Sequence, residues 1–261
     1  MSGKFLLIII GLAMLSGCTH EKPILPVANP VAPIIDEAQN PSEPVSTGDN
    51  TSGQYENFVP SGWEILATEE NDFNNDGLMD AVLVIQKIQE RADYDDSEGP
   101  SRELLIIYRD EFKGLTLTIA NDRAIICRTC GGLLGDPFVG IASDGNSLAL
   151  THYGGSRERW GYVHTFTLQK NGDWLLTKET ITTEDTFLLT SKEETVDFTT
   201  GEYSVRYTVP PDYRNNPDFD DSAKREIADL WDRPEEKRTK STRPLIILDY
   251  FNIDDQIGRQ D

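Results

Sequence analysis

Basic charge falls far short of acidic charge in this chain. Its 24 Lys and Arg face 45 Asp and Glu, for a net charge of −21. Such a surface repels nucleic acid and anionic headgroups, so nucleic-acid binding is excluded, and cations, basic proteins or neutral glycans are the natural partners. Histidine is scarce as well, with 3 in all and only His152 and His164 in the body of the chain. Two imidazoles are thin material for acid–base chemistry, and no catalytic residue is assigned. The 3 cysteines are Cys18, Cys127 and Cys130. They are too few for a disulfide-dense scaffold, and no second Cys pair completes a zinc site. Beyond Leu15 no apolar run is long enough to cross a bilayer. The body is therefore expected to be soluble. Aromatic residues are absent from Thr19 to Gln54, so that stretch has no means of building a core.

What is present begins at the N-terminus. Lys4 precedes an apolar run, Phe5 to Leu15, and small residues close it before Cys18. That is the layout of a secretory signal. Leu15-Ser16-Gly17-Cys18 resembles the lipobox of bacterial lipoproteins. The resemblance implies cleavage of residues 1–17 and lipidation of Cys18, with palmitate-type acyl chains as the membrane partner. Thr19 rather than Asp follows the cysteine, which by the same resemblance implies the outer membrane, its periplasmic and surface faces both left open. Residues 18–54 carry six prolines and many Ser, Thr and acidic residues. They read as a disordered tether with a fully extended reach of ~110 Å.

Residues 55–261 form the expected globular domain. Short β segments rich in Val, Ile, Leu, Thr and Tyr are expected at Asp80–Gln89, Arg102–Tyr108, Leu115–Ile119, Ala124–Cys127 and Ser147–Tyr153. Others are expected at Tyr162–Leu168, Trp174–Ile181, Thr195–Phe198, Tyr203–Val209 and Leu245–Phe251. Asn171-Gly172, Asp144-Gly145 and Thr200-Gly201 supply hairpin turns. One helix is expected over Ser222–Trp231, with Asp221 as N-cap and Pro234 as its stop. The fold class is all-β, with antiparallel sheets arranged as a sandwich or partial propeller and one short helix near the C-terminal end.

Asp72-Phe73-Asn74-Asn75-Asp76-Gly77-Leu78-Met79-Asp80 places oxygen side chains at loop positions 1, 3, 5 and 9 and glycine at 6. Such spacing wraps a loop around a hard cation, and three carboxylates in nine residues repel one another until an ion offsets them. An EF-hand is not formed, because position 12 is Leu83 rather than Glu and the continuation is strand-like. The stretch resembles the calcium loop of FG-GAP and VCBS-type repeats, in a single copy. That resemblance implies structural calcium held by Asp72, Asn74, Asp76 and Asp80 side chains and the Leu78 carbonyl. The alternative is an Asn/Asp/Gly-rich turn that holds nothing.

Cys127-Arg128-Thr129-Cys130-Gly131-Gly132 has redox-motif spacing but no following helix to stabilise a thiolate. A structural disulfide between Cys127 and Cys130 is expected. His152-Tyr153-Gly154-Gly155-Ser156-Arg157-Glu158-Arg159-Trp160 sets two arginines and aromatic rings around a glycine turn. His152, Tyr153, Ser156, Arg157, Arg159 and Trp160 are its candidate binding residues. A hydrolase elbow is absent, since Glu158 stands where the second glycine belongs. Strand alternation puts His152 with Leu148 and Leu150, and His164 with Tyr162 and Phe166, so both read as satisfied core or rim histidines. The acidic runs Asp93–Asp96 and Asp218–Asp221 read as solvated loops. Together these features point to a lipid-anchored, calcium-stabilised β domain that binds a protein or glycan in the bacterial cell envelope. The alternatives are an envelope-polymer hydrolase, or an inhibitor or immunity-type lipoprotein for a basic protein.

Overall fold

A computed structural model describes residues 52–88, 101–231, 233, 236–239 and 246–256. The signal segment, Cys18, most of the tether, the Asp93–Asp96 run and Pro234 lie outside the described residues. The chain is all-β, built from two antiparallel sheets. The smaller is a four-stranded meander of β1 (Trp63–Asn71), β2 (Asp80–Lys87), β3 (Arg102–Asp110) and β4 (Gly114–Asn121). The larger contains β5 (Phe138–Asp144), β6 (Ser147–Gly155), β7 (Glu158–Leu168), β8 (Trp174–Asp185), β9 (Thr190–Asp197), β10 (Glu202–Thr208) and β11 (Glu236–Thr239). Its strands follow one another in chain order. Each expected hairpin turn lies between paired strands, with Gly145, Gly172 and Gly201 at positive φ.

The two sheets share one core, which makes a sandwich rather than a propeller blade. Val82, Val84, Leu104, Ile106 and Ile119 of the smaller sheet pack with Leu148, Leu150, Phe166, Trp174 and Leu176 of the larger. Strand alternation explains the division: Ala81, Leu83, Ile85, Leu105 and Ile107 point the other way. That outer face is covered by Tyr55, which ends the short helix α1 (Ser52–Tyr55), and by Phe58 and Val59 just after it. β2 is therefore buried on both faces, matching its unbroken apolar run. Trp174 ties the layers together, its indole N–H donating to the Tyr108 hydroxyl at 2.9 Å and its ring meeting Phe73 edge-on. Helix α2 (Asp221–Trp231) packs separately, with Ala223 and Ile227 against Leu188, Tyr213 and Phe219.

Several expectations are corrected. Ala124–Cys127 is not a strand, although Ala124, Ile125 and Ile126 are buried. Its backbone is satisfied by distant side chains instead of a ladder: Ile126 N–H donates to His152 Nε2, and Arg102 donates to the Ile126 carbonyl. From Ile246 to Phe251 the chain makes one bridge and a 3-10 turn, because Asn121 Nδ2 donates to the Leu248 and Phe251 carbonyls. The N-cap of α2 is Asp220 rather than Asp221, its carboxylate accepting from the N–H groups of Ser222 and Ala223. Strands β1, β5 and β11 were not expected at all.

Candidate functional site

The Asp72–Asp80 loop joins β1 to β2 and is closed by its own carboxylates. Asp72 accepts from the N–H groups of Asp76 and Gly77 at 3.0 and 2.9 Å, and Asp76 accepts from Leu78 at 2.8 Å. Asn74 bonds Asp76 through both its amide oxygen and its nitrogen. Left-handed backbone at Asn75 (φ 60°) and Gly77 (φ 86°) makes the reversal; a short polar side chain and a glycine are the residues that tolerate it. Asp80 behaves differently. It is fully buried, and its oxygens accept from the N–H groups of Phe73 and Arg109. Burial pushes its pKa up; the two backbone bonds oppose this, and the charges of Asp76 and Asp72 add to it. The oxygen-rich set suits a hard cation in kind. Among the described residues, however, no three acidic, His or Cys side chains stand close enough to hold a metal as arranged.

The cysteine turn and the glycine hairpin, far apart in the chain, are brought into direct contact. Cys127 and Cys130 are disulfide-bonded across a tight turn, with Cα atoms 5.3 Å apart. The glycines that follow dock backbone to backbone on the β6–β7 hairpin. Gly155 N–H donates to the Gly131 carbonyl at 2.8 Å, and Leu133 N–H donates to the Gly155 carbonyl at 3.1 Å. Side chains are excluded there: a Cβ on Gly131 would lie 2.1 Å from the Gly135 oxygen, and one on Gly155 would lie 2.2 Å from the Glu158 oxygen. Arg102 closes the loop at its neck. One guanidinium nitrogen donates both to the Ile126 carbonyl and to Asp136, so residues on either side of the turn share one buried cation.

On the other flank of the hairpin stands the β8–β9 turn. Arg157 pairs with Asp185 at 2.8 Å and lies over the Phe187 ring, while its carbonyl accepts from Thr186. Burial pushes the Asp185 carboxyl up, but Arg157 and the N–H groups of Leu188 and Phe187 outweigh it and hold it below the usual range. Tyr153 donates to Glu184 and accepts from Arg159. Trp160 packs against the core across Gly154 and is no open platform. Ser156, Arg157 and Glu158 are exposed at the tip. Around them stand Leu133 at 85% exposure, Phe187 at 55% and Leu189 at 60%. Sequence reasoning missed these apolar side chains, since isolated Leu and Phe residues in a β-rich chain read as core.

Neither histidine reaches this surface. His152 and His164 are fully buried on neighbouring strands, so Ser156 has no imidazole partner. His152 Nε2 is taken by Ile126 N–H, and His164 Nε2 lies 3.2 Å from a Glu179 oxygen. Both Nδ1 atoms are buried without a hydrogen-bond partner among the described residues. These are core histidines, as the alternation implies, but each is satisfied on one side only. Of the acidic run Asp218–Asp221, Asp220 caps α2 and Phe219 is buried. No family model matches the chain, and neither do any curated protein sequences or solved structures.

Proposed function

We propose that this protein is an outer-membrane-anchored lipoprotein of the bacterial envelope whose calcium-stabilised β-sandwich binds another envelope protein through the β6–β7 hairpin end. The observation that carries the reading is the pairing of a locked backbone with exposed apolar side chains. Leu133 and Phe187 stand open to solvent on either side of a hairpin tip held by the disulfide turn, the Arg102 clasp and the Arg157–Asp185 pair. Exposed apolar groups on a rigid frame lose little conformational entropy on docking, and they favour a partner that covers them. A glycan receptor is less well served, because Trp160 lies against the core instead of offering a ring face. The acidic surplus of the chain selects a partner with a neutral or basic rim.

Crosslinking in living cells tests this. A photoreactive residue at Leu133 is expected to yield one discrete protein adduct in the lipidated form, and the adduct is expected to fade with Cys18→Ala. Adducts at Leu133 no more frequent than at a site on the far edge, such as Thr116, would refute the assignment.

A further inference from the structure

We propose that the open depression beside α2 is a binding site for a tetrahedral oxyanion group, such as a phosphate or sulfate ester. This inference is independent of the docking end described above. An open surface depression of about 420 Å³ is lined by Tyr213, Arg214, Asp221, Lys224, Arg225 and Ala228. Its wall thus carries three cations against one carboxylate in a chain whose overall charge is −21. Ion pairs occupy many of the basic side chains elsewhere: Arg102, Arg157, Lys192 and Arg206 each face a carboxylate. Arg214, Lys224 and Arg225 form no ion pair with any described residue.

Arg214 is also held in place. Its Nε donates to the Tyr213 hydroxyl at 3.1 Å, and its guanidinium lies 5.4 Å from the Tyr213 ring centre. Tyr213 itself is 4% exposed, fixed in the small core under α2. A guanidinium anchored through Nε keeps both terminal nitrogens for a bidentate contact with an oxyanion, with less side-chain entropy lost on binding. Lys224 and Arg225 add two charges from the helix. The nearby acids are partly committed elsewhere: Asp220 caps α2, Asp212 accepts from the Asn215 amide, and the charge of Glu226 acts on Arg157. Repulsion from the rest of the chain is screened beyond ~8 Å at physiological salt, so the local set governs a group already in the depression. Apolar contact from Tyr213 and Ala228 suits an ester rather than a bare ion.

Trp231, 6.5 Å from the Tyr213 ring, provides a reporter. The full-length chain is titrated at fixed ionic strength with inorganic phosphate, sulfate and a phenyl phosphate ester, with chloride and phenyl glucoside as controls. The proposal expects saturable fluorescence change with the oxyanions, tighter for the ester, and none with the controls. Arg214→Gln is expected to weaken binding by ~10-fold or more. If that variant loses its fold, Lys224→Gln with Arg225→Gln, at a half-buried and an exposed position of the helix, is expected to show the same direction of loss. Equal response to chloride, or wild-type affinity in both variants, would overturn the site. Response to free phosphate and ester alike would keep the site and assign it to the anion alone.

Discussion

Arg102 and Asp136 form an ion pair that spans the boundary between core and solvent: the arginine side chain is 1% exposed and the aspartate 40%. The buried guanidinium also donates to Gln86 Oε1 and to the Ile126 carbonyl. Burial alone pushes the Asp136 carboxyl up. Its hydrogen bond from Arg102, the Phe138 N–H and the charges of Arg102 and Arg128 overcome this and hold it below the usual range. Removing the cation strands an amide oxygen, a carbonyl and a carboxylate at once. Arg102→Ala is therefore expected to lose ~3–5 kcal/mol in urea unfolding. Asp136→Asn, which keeps an acceptor at a half-exposed site, is expected to lose only ~1–2 kcal/mol. Equal losses in the two variants would show that the clasp does not depend on the buried partner.

His152 makes stability depend on pH. Burial, followed by the charges of His164 and Arg102, pushes its pKa from 6.5 down to about 3, with Asp136 opposing. In the unfolded chain the imidazole takes up its proton near 6.5, whereas in the fold it stays neutral until about 3. Between those values the unfolded chain binds more protons, so stability is full above the upper value and falls as pH drops through the window. The slope approaches ~1.4 kcal/mol per pH unit from this group alone. Urea midpoints for wild type and His152→Gln are expected to converge as pH is lowered from ~7 to ~4.5. Parallel curves would remove His152 as the cause.

The disulfide turn yields a further stability prediction. Cross-linking so small a loop constrains the unfolded chain only modestly, and its loss is expected to cost ~2 kcal/mol. Protein recovered from the envelope is expected to show no free thiol at Cys127 or Cys130 without reductant; quantitative alkylation of both would contradict the pairing in the cell. Because Gly131 and Leu133 bond the hairpin directly, reduction is also expected to raise hydrogen exchange at Gly155 before the sheets open.

How far the sequence reveals this molecule depends on the range of the interactions. Alternation in Ser147–Tyr153 placed His152 inward with Leu148 and Leu150, and Asn171-Gly172 marked the β7–β8 hairpin. Both depend on neighbours in the chain. Ala124–Cys127 is as apolar as a strand, yet its backbone bonds to His152 and Arg102, contacts that local propensity does not encode. β1 was hidden by its acids and by a bulge: Trp63 and Ile65 pack on the outer face, Ala67 beyond the register shift packs on the shared core, and Glu64 lies exposed. The contact between the cysteine turn and the glycine hairpin was equally hidden. Each half was visible as an unusual motif, but the Gly131–Gly155 backbone bond has no side chain to announce it.

The acidic loop makes a sharper demand. Asp80 is buried with its pKa pushed up, first by burial and further by the charges of Asp76 and Asp72, after the opposing bonds from Arg109 and Phe73. An ion at this loop would relieve that repulsion. If the loop holds calcium with a dissociation constant of ~0.1–1 mM, calcium at ten times that value is expected to stabilise by ~1.4 kcal/mol. That corresponds to a melting shift of ~3–6 °C for a domain of this size. Chelator is expected to reverse it, and Asp76→Ala to abolish the difference. A wild-type melting curve that ignores both calcium and chelator would reduce the loop to a carboxylate-closed turn.

Gly154 and Trp160 face each other across β6 and β7, and their fit is tight enough to test the hairpin end directly. A Cβ on Gly154 would sit 2.4 Å from Trp160 Cζ2 and 2.8 Å from Cη2, inside any allowed contact. Trp160 must give way, and it packs against the shared core, so the strain is not discharged into solvent. Gly154→Ala is expected to cost ~1–3 kcal/mol as an overpacking change. Trp160→Leu removes the obstructing ring at the expense of buried area. Combined, the two are expected to be less harmful than the sum of the singles by ~1 kcal/mol or more, the signature of residues in contact. Strict additivity would mean that the glycine is present for backbone conformation alone, and that the indole does not cover it.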